Sequence, residues 1–295
     1  MARYVHVCTS HGVGMPAAHR GAAADAFAKA AEAQLQKGRI KPVSTAVGRY
    51  VARKSPALAR ALRRILQARA RRIAARVRTL FVDKVAKSDT GARERIIAQL
   101  IESLASDDLG ADLEGALAPA MLAAFRRAAA AGATQVGLSV EGITDQVDAA
   151  AVAYAGRRGG ELIKDLAGTT DEAVRGLLER GVDEGMSADE LSDAIEALGA
   201  FGEYRADMIA RTELAFAHVQ GNVEGWRDSE EVEGKRSILG DLHDVPDECD
   251  DAAEAGVVDL DEEFAPGLMF PPYHPNCICD VLPVLRARTD TDEEG

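Results

Sequence analysis

Three cysteines and a histidine stand near the C-terminal end of the chain, as Cys249 and then His274-Pro-Asn-Cys277-Ile-Cys279. Soft thiolates together with an imidazole form the donor set of a closed, tetrahedral zinc site of the structural kind. Pro271, Pro272 and Pro275 would hold the backbone stiff around His274. Cys277 and Cys279 are only two residues apart, so in an extended strand both point the same way, and a chelate that tight is uncommon. Two readings stand open. Cys249, His274, Cys277 and Cys279 bind zinc, or they pack as small side chains that pin the loop, with His274 bonded to a backbone carbonyl or a nearby carboxylate. Four cysteines in 295 residues are too few for a disulfide framework. The remaining one, Cys8, lies among His6, His11 and His19 at spacings that fit no standard metal pattern, in a glycine-containing stretch that reads as an extended tail.

Three other groups carry chemistry. Arg211-Thr-Glu213 falls inside a helical pattern. A catalytic carboxylate at Glu213 would need a second carboxylate, a phosphate loop or a nucleophile elbow, and none accompanies it. The expectation is a non-enzymatic protein in which Arg211 and Glu213 tie their helix to the loop around His274 or Asp241. Asp241-Leu-His-Asp244 with Asp247, Glu248, Asp250 and Asp251 lacks the periodicity and central glycine of a calcium loop and reads as a solvated acidic turn. The third group is basic. Arg60, Arg63, Arg64, Arg69, Arg71, Arg72, Arg76 and Arg78 occur in a stretch with no acidic residue between Arg49 and Arg78. An ordinary solvated helix would mix signs to gain pairs one turn apart. These arginines call for anions: duplex DNA, an acidic protein surface, or the chain's own acidic part. Arginine suits bidentate contacts to phosphate or carboxylate, and without interleaved aromatic residues any nucleic-acid contact would be independent of sequence.

Net charge sharpens that point. Residues 1–100 hold 21 Lys and Arg against 5 Asp and Glu, the remainder 14 against 43, beneath a total of −13. Alanine is abundant and aromatics are 4% of the chain, which favours helices packed closely through small side chains. There is no apolar run long enough to cross a membrane and no secretory signal, so a soluble protein made in the cytoplasm is expected.

The elements follow from periodicity. Gly21–Lys37 reads as a helix, and Ser55-Pro56 reads as the start of a long amphipathic one carrying Leu58, Leu62, Ile65, Leu66, Ile73, Val77, Phe81 and Val85. Helices are predicted over Thr90–Leu104, Asp112–Ala131, Val140–Ala155, Thr170–Arg180 and Ser187–Leu198, broken at Arg158-Gly-Gly160, with Asp171 and Glu172 at a helix start and a capping box at Ser187/Glu190. Arg205–Trp226 places Ile209, Thr212, Phe216, Val219, Val223 and Trp226 on one buried stripe. The cysteine segment has too few apolar residues to fold alone and is expected to pack back on that stripe. Lys235–Leu239 and Gly256–Leu260 are the strand candidates. The resulting fold class is mainly α: a helical N-terminal arm and bundle with a small α+β C-terminal domain. Its boundaries are a mobile arm over 1–42, a basic amphipathic helix over 43–87, a bundle over 88–200, the C-terminal domain over 201–285, and a disordered acidic tail over 286–295.

Several of these stretches in order carry a resemblance. Gly181-x-x-x-Gly-Met-Ser-Ala-Asp-Glu-Leu191, Arg205-Ala-x-x-Ile-Ala-Arg-Thr-Glu213, Gly256 with its strand and an acidic turn to Phe264, and Pro271-Pro-x-His-Pro-Asn-Cys-x-Cys279 resemble the C-terminal domain of the Mu F-like head-morphogenesis (minor head) proteins of tailed bacteriophages, with its helical lead-in. The similarity runs over about residues 170–283. The chain departs from the pattern at Cys249-Asp-Asp-Ala252, where many members have Cys-x-x-Cys, and at Ser237-Ile-Leu-Gly240, where many have a Trp-x-Thr strand. The resemblance implies a minor head protein that binds the phage portal protein during procapsid assembly and stays in the capsid interior. Packaged DNA and scaffold or capsid protein are further partners, and Arg211, Glu213, Trp226 and Pro272 define the domain. Two alternatives come from other classes: a sequence-independent DNA-binding protein carried in the virion, and a delivered effector, for which the chain leaves no room after the motif.

Overall fold

The computed structural model describes residues 44–81, 109–241, 243 and 246–286. The N-terminal arm, the Gly21–Lys37 and Thr90–Leu104 helices and the tail beyond Arg286 lie outside them. Within the described residues the protein is mainly α-helical, with a small antiparallel sheet near the C-terminal end. The helices are α1 (Ala46–Phe81), α2 (Leu109–Gln135), α3 (Val140–Asp183), α4 (Ala188–Glu196), α5 (Glu203–Trp226) and α6 (Glu248–Glu254). The strands are β1 (Val232–Ile238), β2 (Val257–Val258) and β3 (Asp280–Leu285). The chain divides into a helical unit, Arg49–Glu230, and a sheet unit made of the described residues up to Gly48 and from Glu231 onward. The long helix at Arg205–Trp226 therefore belongs with the bundle, where the sequence reading grouped it with the cysteine segment.

Small residues explain that membership. Helix α5 packs chiefly on α2, so closely that a Cβ on Gly132 would stand 2.7 Å from the Asn222 carbonyl oxygen. One on Gly221 would come within 2.9 Å of Phe125 Cα, and one on Gly225 within 2.9 Å of the Ala133 nitrogen. Ala124, Ala128, Ala129 and Ala133 on α2 and Ala210 and Ala217 on α5 are buried in the same region. Such close approach maximises dispersion contacts between backbones but leaves no room for a methyl group. Val219, Val223 and the fully buried Trp226 fill the positions around the glycines.

Two predicted breaks do not occur. Helix α3 runs unbroken through Arg158-Gly159-Gly160, and Asp171 sits in its middle, not at a start. A glycine in a helix costs only about 1 kcal/mol against alanine, and Arg158 and Asp171, on either side of the predicted gap, both make ion pairs from within α3. Helix α1 likewise begins ten residues before Pro56, which lies inside it. Its true start is Thr45, whose Oγ1 accepts from the Gly48 N–H at 2.9 Å while the Val47 N–H donates to Asp280 Oδ2 at 3.1 Å. The buried Tyr50 and Val51, upstream of the proline, anchor the added turns. The capping box at Ser187/Glu190 forms as read.

In the sheet unit the strand order is β2-β1-β3, both pairs antiparallel. The strand candidates at 235–239 and 256–260 correspond to β1 and β2, while β3 was not expected. Lys235 on β1 is fully buried. Its ammonium donates to the Leu260 carbonyl at 2.9 Å and lies 4.0 Å from the centre of the Phe270 ring, holding the loop after β2 against the sheet.

His218 on α5 is a buried imidazole in the helical unit, 5.1 Å from the Tyr50 ring, with Nδ1 3.5 Å from Asn222 Nδ2. Burial lowers its pKa from 6.5 to about 4, helped by the nearby charge of Arg127. Between those values the unfolded chain binds the proton and the fold does not, so stability falls as pH drops from 6.5 towards 4. The expected loss attributable to His218 is about 2 kcal/mol by pH 5. Urea unfolding at pH 7 and pH 5 checks it, with His218→Gln removing that part of the slope.

Candidate metal centre

The cysteine cluster is assembled by three short elements. Helix α6 delivers Cys249, the proline-rich loop delivers His274 and Cys277, and Cys279 immediately precedes β3. All three thiols are buried and none is in a disulfide. Cys249 Sγ lies 3.6 Å from Cys277 Sγ and 3.3 Å from His274 Nε2. A tetrahedral zinc ion with bonds of about 2.3 Å to sulfur and 2.0–2.1 Å to nitrogen sets its ligand atoms roughly 3.8 Å (S to S) and 3.5 Å (S to N) apart. The observed separations match those edges closely. Cys279 accepts from the Gly240 N–H at 3.4 Å and groups with Cys249 and His243, so the donors form two three-membered sets that share Cys249. The cluster could hold a metal ion.

A second imidazole was missed. His243 forms a compact group with Cys249 and Cys279, as His274 does with Cys249 and Cys277. The loop Asp241–Asp251 is thus not simply a solvated acidic turn. Asp247 caps α6 by accepting from the Cys249 N–H at 2.8 Å, and its other oxygen is 3.1 Å from His274 Nε2. Asp250 completes the capping box from the Asp247 N–H at 3.0 Å and meets His243 Nε2 at 2.8 Å. The same two carboxylates cap the helix and meet both imidazoles; Asp247 does so at His274 Nε2, the nitrogen that also faces Cys249, so a metal bound there would displace that contact. The signal in the sequence was the pairing of Asp-Leu-His with Asp-x-x-Asp, which a count of acidic residues conceals.

The ionisation pattern suits this chemistry. Hydrogen bonds with Cys249 and Cys279, and the neighbouring His274, hold the Cys277 thiol well below its usual range. Cys249 is pushed up by its bonds to Cys277 and Cys279 and by burial. Burial lowers the pKa of His274, but hydrogen bonds to Asp247 and Cys277 carry it up to about 11. The Nδ1 of His274 faces the Pro275 carbonyl oxygen at 3.0 Å, which leaves Nε2 as the atom turned towards the sulfurs. Pro272 is buried and follows Pro271 through a cis peptide bond in this loop, and Tyr273 packs on the cluster.

Arg211 and Glu213 lie elsewhere, in the helical unit. Glu213 is buried and takes a bidentate pair from Arg158 of α3, both bonds 2.9 Å, not the expected contacts to Asp241 or His274. The Arg158 guanidinium also lies 4.3 Å from the centre of the Phe216 ring. Burial raises the Glu213 carboxyl against the downward pull of Arg158. The buried Nε of Arg211 and Nε1 of Trp226 find no hydrogen-bond partner among the described residues.

The eight arginines of α1 divide. Arg69 is buried and pairs with Asp171 of α3 at 2.8 Å. Arg63 pairs with Glu203 at the start of α5 at 2.8 Å. Arg78 meets Asp189 and Asp193 on α4 at 3.2 and 2.9 Å, and Glu196 at 3.9 Å. Ser192 of α4 also donates to the Ala74 carbonyl at 3.0 Å. Arg72 and Arg76 are half-buried, and Arg60, Arg64 and Arg71 are exposed. The basic helix is thus an integral part of the helical unit, with Leu62, Leu66, Ile73 and Val77 buried beneath it.

Comparison with protein-family models, curated proteins and solved structures finds no match.

Removing one partner of a buried ion pair leaves the other charge unsatisfied. Arg158→Ala should therefore destabilise the helical unit by about 3–5 kcal/mol, whereas Arg158→Met with Glu213→Leu should recover most of it. Urea denaturation of the two variants checks this.

Proposed function

We propose that the chain is a minor head protein of a tailed bacteriophage, a non-enzymatic component that binds the portal protein during procapsid assembly and stays in the capsid interior, with its sheet unit built around one structural zinc ion. The ordered series of motifs supports this reading: a capped helix at Ala188–Glu196, the Arg-Thr-Glu helix at Glu203–Trp226, and the cysteine segment. Glu213, the one carboxylate that invited a catalytic reading, is committed to Arg158, which suits a structural role.

The single observation that carries the zinc assignment is the near-tetrahedral spacing of Cys249, Cys277 and His274, with Cys279 grouped beside them with Cys249 and His243. Cys249, Cys277, Cys279 and His274 through Nε2 hold the ion, and His243 supports it from beside Asp250. The ion would fix the loop and α6 to the edge of a sheet too small to bury an adequate core.

Two measurements follow. Full-length protein purified without chelator should contain close to one zinc per chain by mass spectrometry of the metal. Cys277→Ser should abolish loading, and His274→Ala should weaken it at least tenfold. Zinc at background level in the unaltered protein, with no uptake after reduction, overturns the assignment. Co-expressed with the portal protein of the same phage genome, the full chain should co-purify with it at low and high salt. Failure to co-purify even at low salt overturns the portal reading.

A further inference from the structure

We infer that the cysteine cluster takes a second divalent ion, a further zinc held by His243, Cys249 and Cys279, with the Cys249 thiolate bridging it to the first. The inference rests on the zinc reading above and adds to it a second site, its ligands and an order of loading.

The donors come as two overlapping sets. The ligand atoms of Cys249, His274 and Cys277 lie within 4.8 Å of one another, and so do those of His243, Cys249 and Cys279. Cys249 belongs to both, on α6, and a thiolate has lone pairs enough to serve two metal ions. A separation of 4.8 Å exceeds the sulfur–sulfur edge of a zinc tetrahedron by roughly 1 Å, which a small side-chain rotation closes. Cys279 closes the shell of a lone ion. When a second ion arrives, Cys279 serves that one beside His243, and each ion then has two residues of its own and Cys249 in common.

The chain itself builds the second set. The Gly240 N–H donates to Cys279 Sγ at 3.4 Å, and the His243 N–H donates back to the Gly240 carbonyl at 2.9 Å. Gly240 sits so close to the segment before β3 that a Cβ on it would stand 2.7 Å from the Ile278 carbonyl oxygen. Backbone packing of this kind brings His243 and Cys279 to one place before any metal binds. The His243 side chain is only 9% exposed, so an ion on its imidazole would be shielded from water.

Charge favours the second ion. Metal displaces the protons of the thiols it binds. Three thiolates and the carboxylates of Asp247 and Asp250, which meet His274 and His243 at 3.1 and 2.8 Å, then carry five negative charges in one place. One divalent ion offsets two of them, and a second raises the offset to four. Away from bulk water that difference is large. Sulfur with imidazole selects zinc over magnesium or calcium, which take oxygen donors. Asp247 and Asp250 group with the same His243 imidazole and supply the oxygen for the remaining position. The second ion binds more weakly than the first, because the two repel at the separation of about 3.5–4 Å usual in two-metal sites and because the first must release Cys279. Protein purified without added metal therefore carries the first ion alone.

A cobalt(II) titration of the full-length chain, stripped of metal and kept reduced without oxygen, tests this. The electron paramagnetic resonance signal should grow to one equivalent and fall towards two, because ions that share a thiolate couple their spins, while sulfur-to-cobalt absorption keeps rising. Intact-protein mass spectrometry after incubation with excess zinc should show two ions per chain. His243→Ala should weaken the second ion at least tenfold and abolish the fall in the signal. The titration of the unaltered chain decides the matter even where that variant fails to fold. A signal that climbs steadily to two equivalents overturns the bridge, and a second ion retained unweakened by His243→Ala overturns the ligand assignment. Uptake that stops at one ion overturns this inference and leaves the single-zinc reading standing, whereas no uptake at all overturns both.

Discussion

Three buried sulfurs gathered with an imidazole constrain the sheet unit more than any other feature. Neutral thiols are weak hydrogen-bond partners, and thiolates so close repel one another. One thiolate beside an imidazolium, the arrangement favoured at Cys277 and His274, balances two of the groups and leaves Cys249 and Cys279 as protonated thiols. A divalent cation would satisfy three of the donors, Cys249, Cys277 and His274, together. The surrounding structure follows from holding these groups: a seven-residue helix capped by the same aspartates that meet the histidines, a stiff proline-rich loop, and a strand that begins directly after Cys279.

The helical unit is governed by a different constraint, steric and not chemical. The absence of side chains at Gly132, Gly221 and Gly225 lets α2 and α5 approach until their backbones touch. Contact that close fixes the rotation of α5, and hence which of its polar residues turns inward. Glu213 is one of them, and a carboxylate so placed requires a cation from a neighbouring helix. Arg158 of α3 supplies it, from a helix that runs on through the adjacent glycines.

This ordering of causes accounts for what could be read in advance. The helical class, the capping box at Ser187 and the first two strands were legible because each is set by residues close together in sequence. The thiol–imidazole set was legible in part, through Cys249, His274, Cys277 and Cys279. Four features were not: the start of α1 at Thr45, the continuity of α3, the partner of Glu213, and His243. In the first three the deciding contact joins distant positions, Thr45 with the Ile278 carbonyl and Val47 with Asp280 among them, whereas His243 meets Asp250 only seven residues on and was hidden among acidic neighbours. Local signals then point the wrong way, since proline and glycine propensities of about 1–3 kcal/mol are smaller than the tertiary contacts that override them. The strand β3 was hidden for a similar reason. Pro283 within it interrupts the alternation by which a strand is recognised, and β3 pairs with β1 alone, at the sheet's edge, where a proline is tolerated.

Charge shows the same dependence on tertiary placement. A net charge of −13 suggests a protein that avoids nucleic acid, yet net charge describes the far field and binding is decided at the surface that makes contact. On α1, Arg63, Arg69 and Arg78 are paired with Glu203, Asp171, and Asp189 with Asp193, from α5, α3 and α4. These carboxylates offset the positive charge of the arginines. The acidic balance and the basic helix are therefore compatible properties of one fold, because carboxylates from α3, α4 and α5 are part of what holds α1 in place.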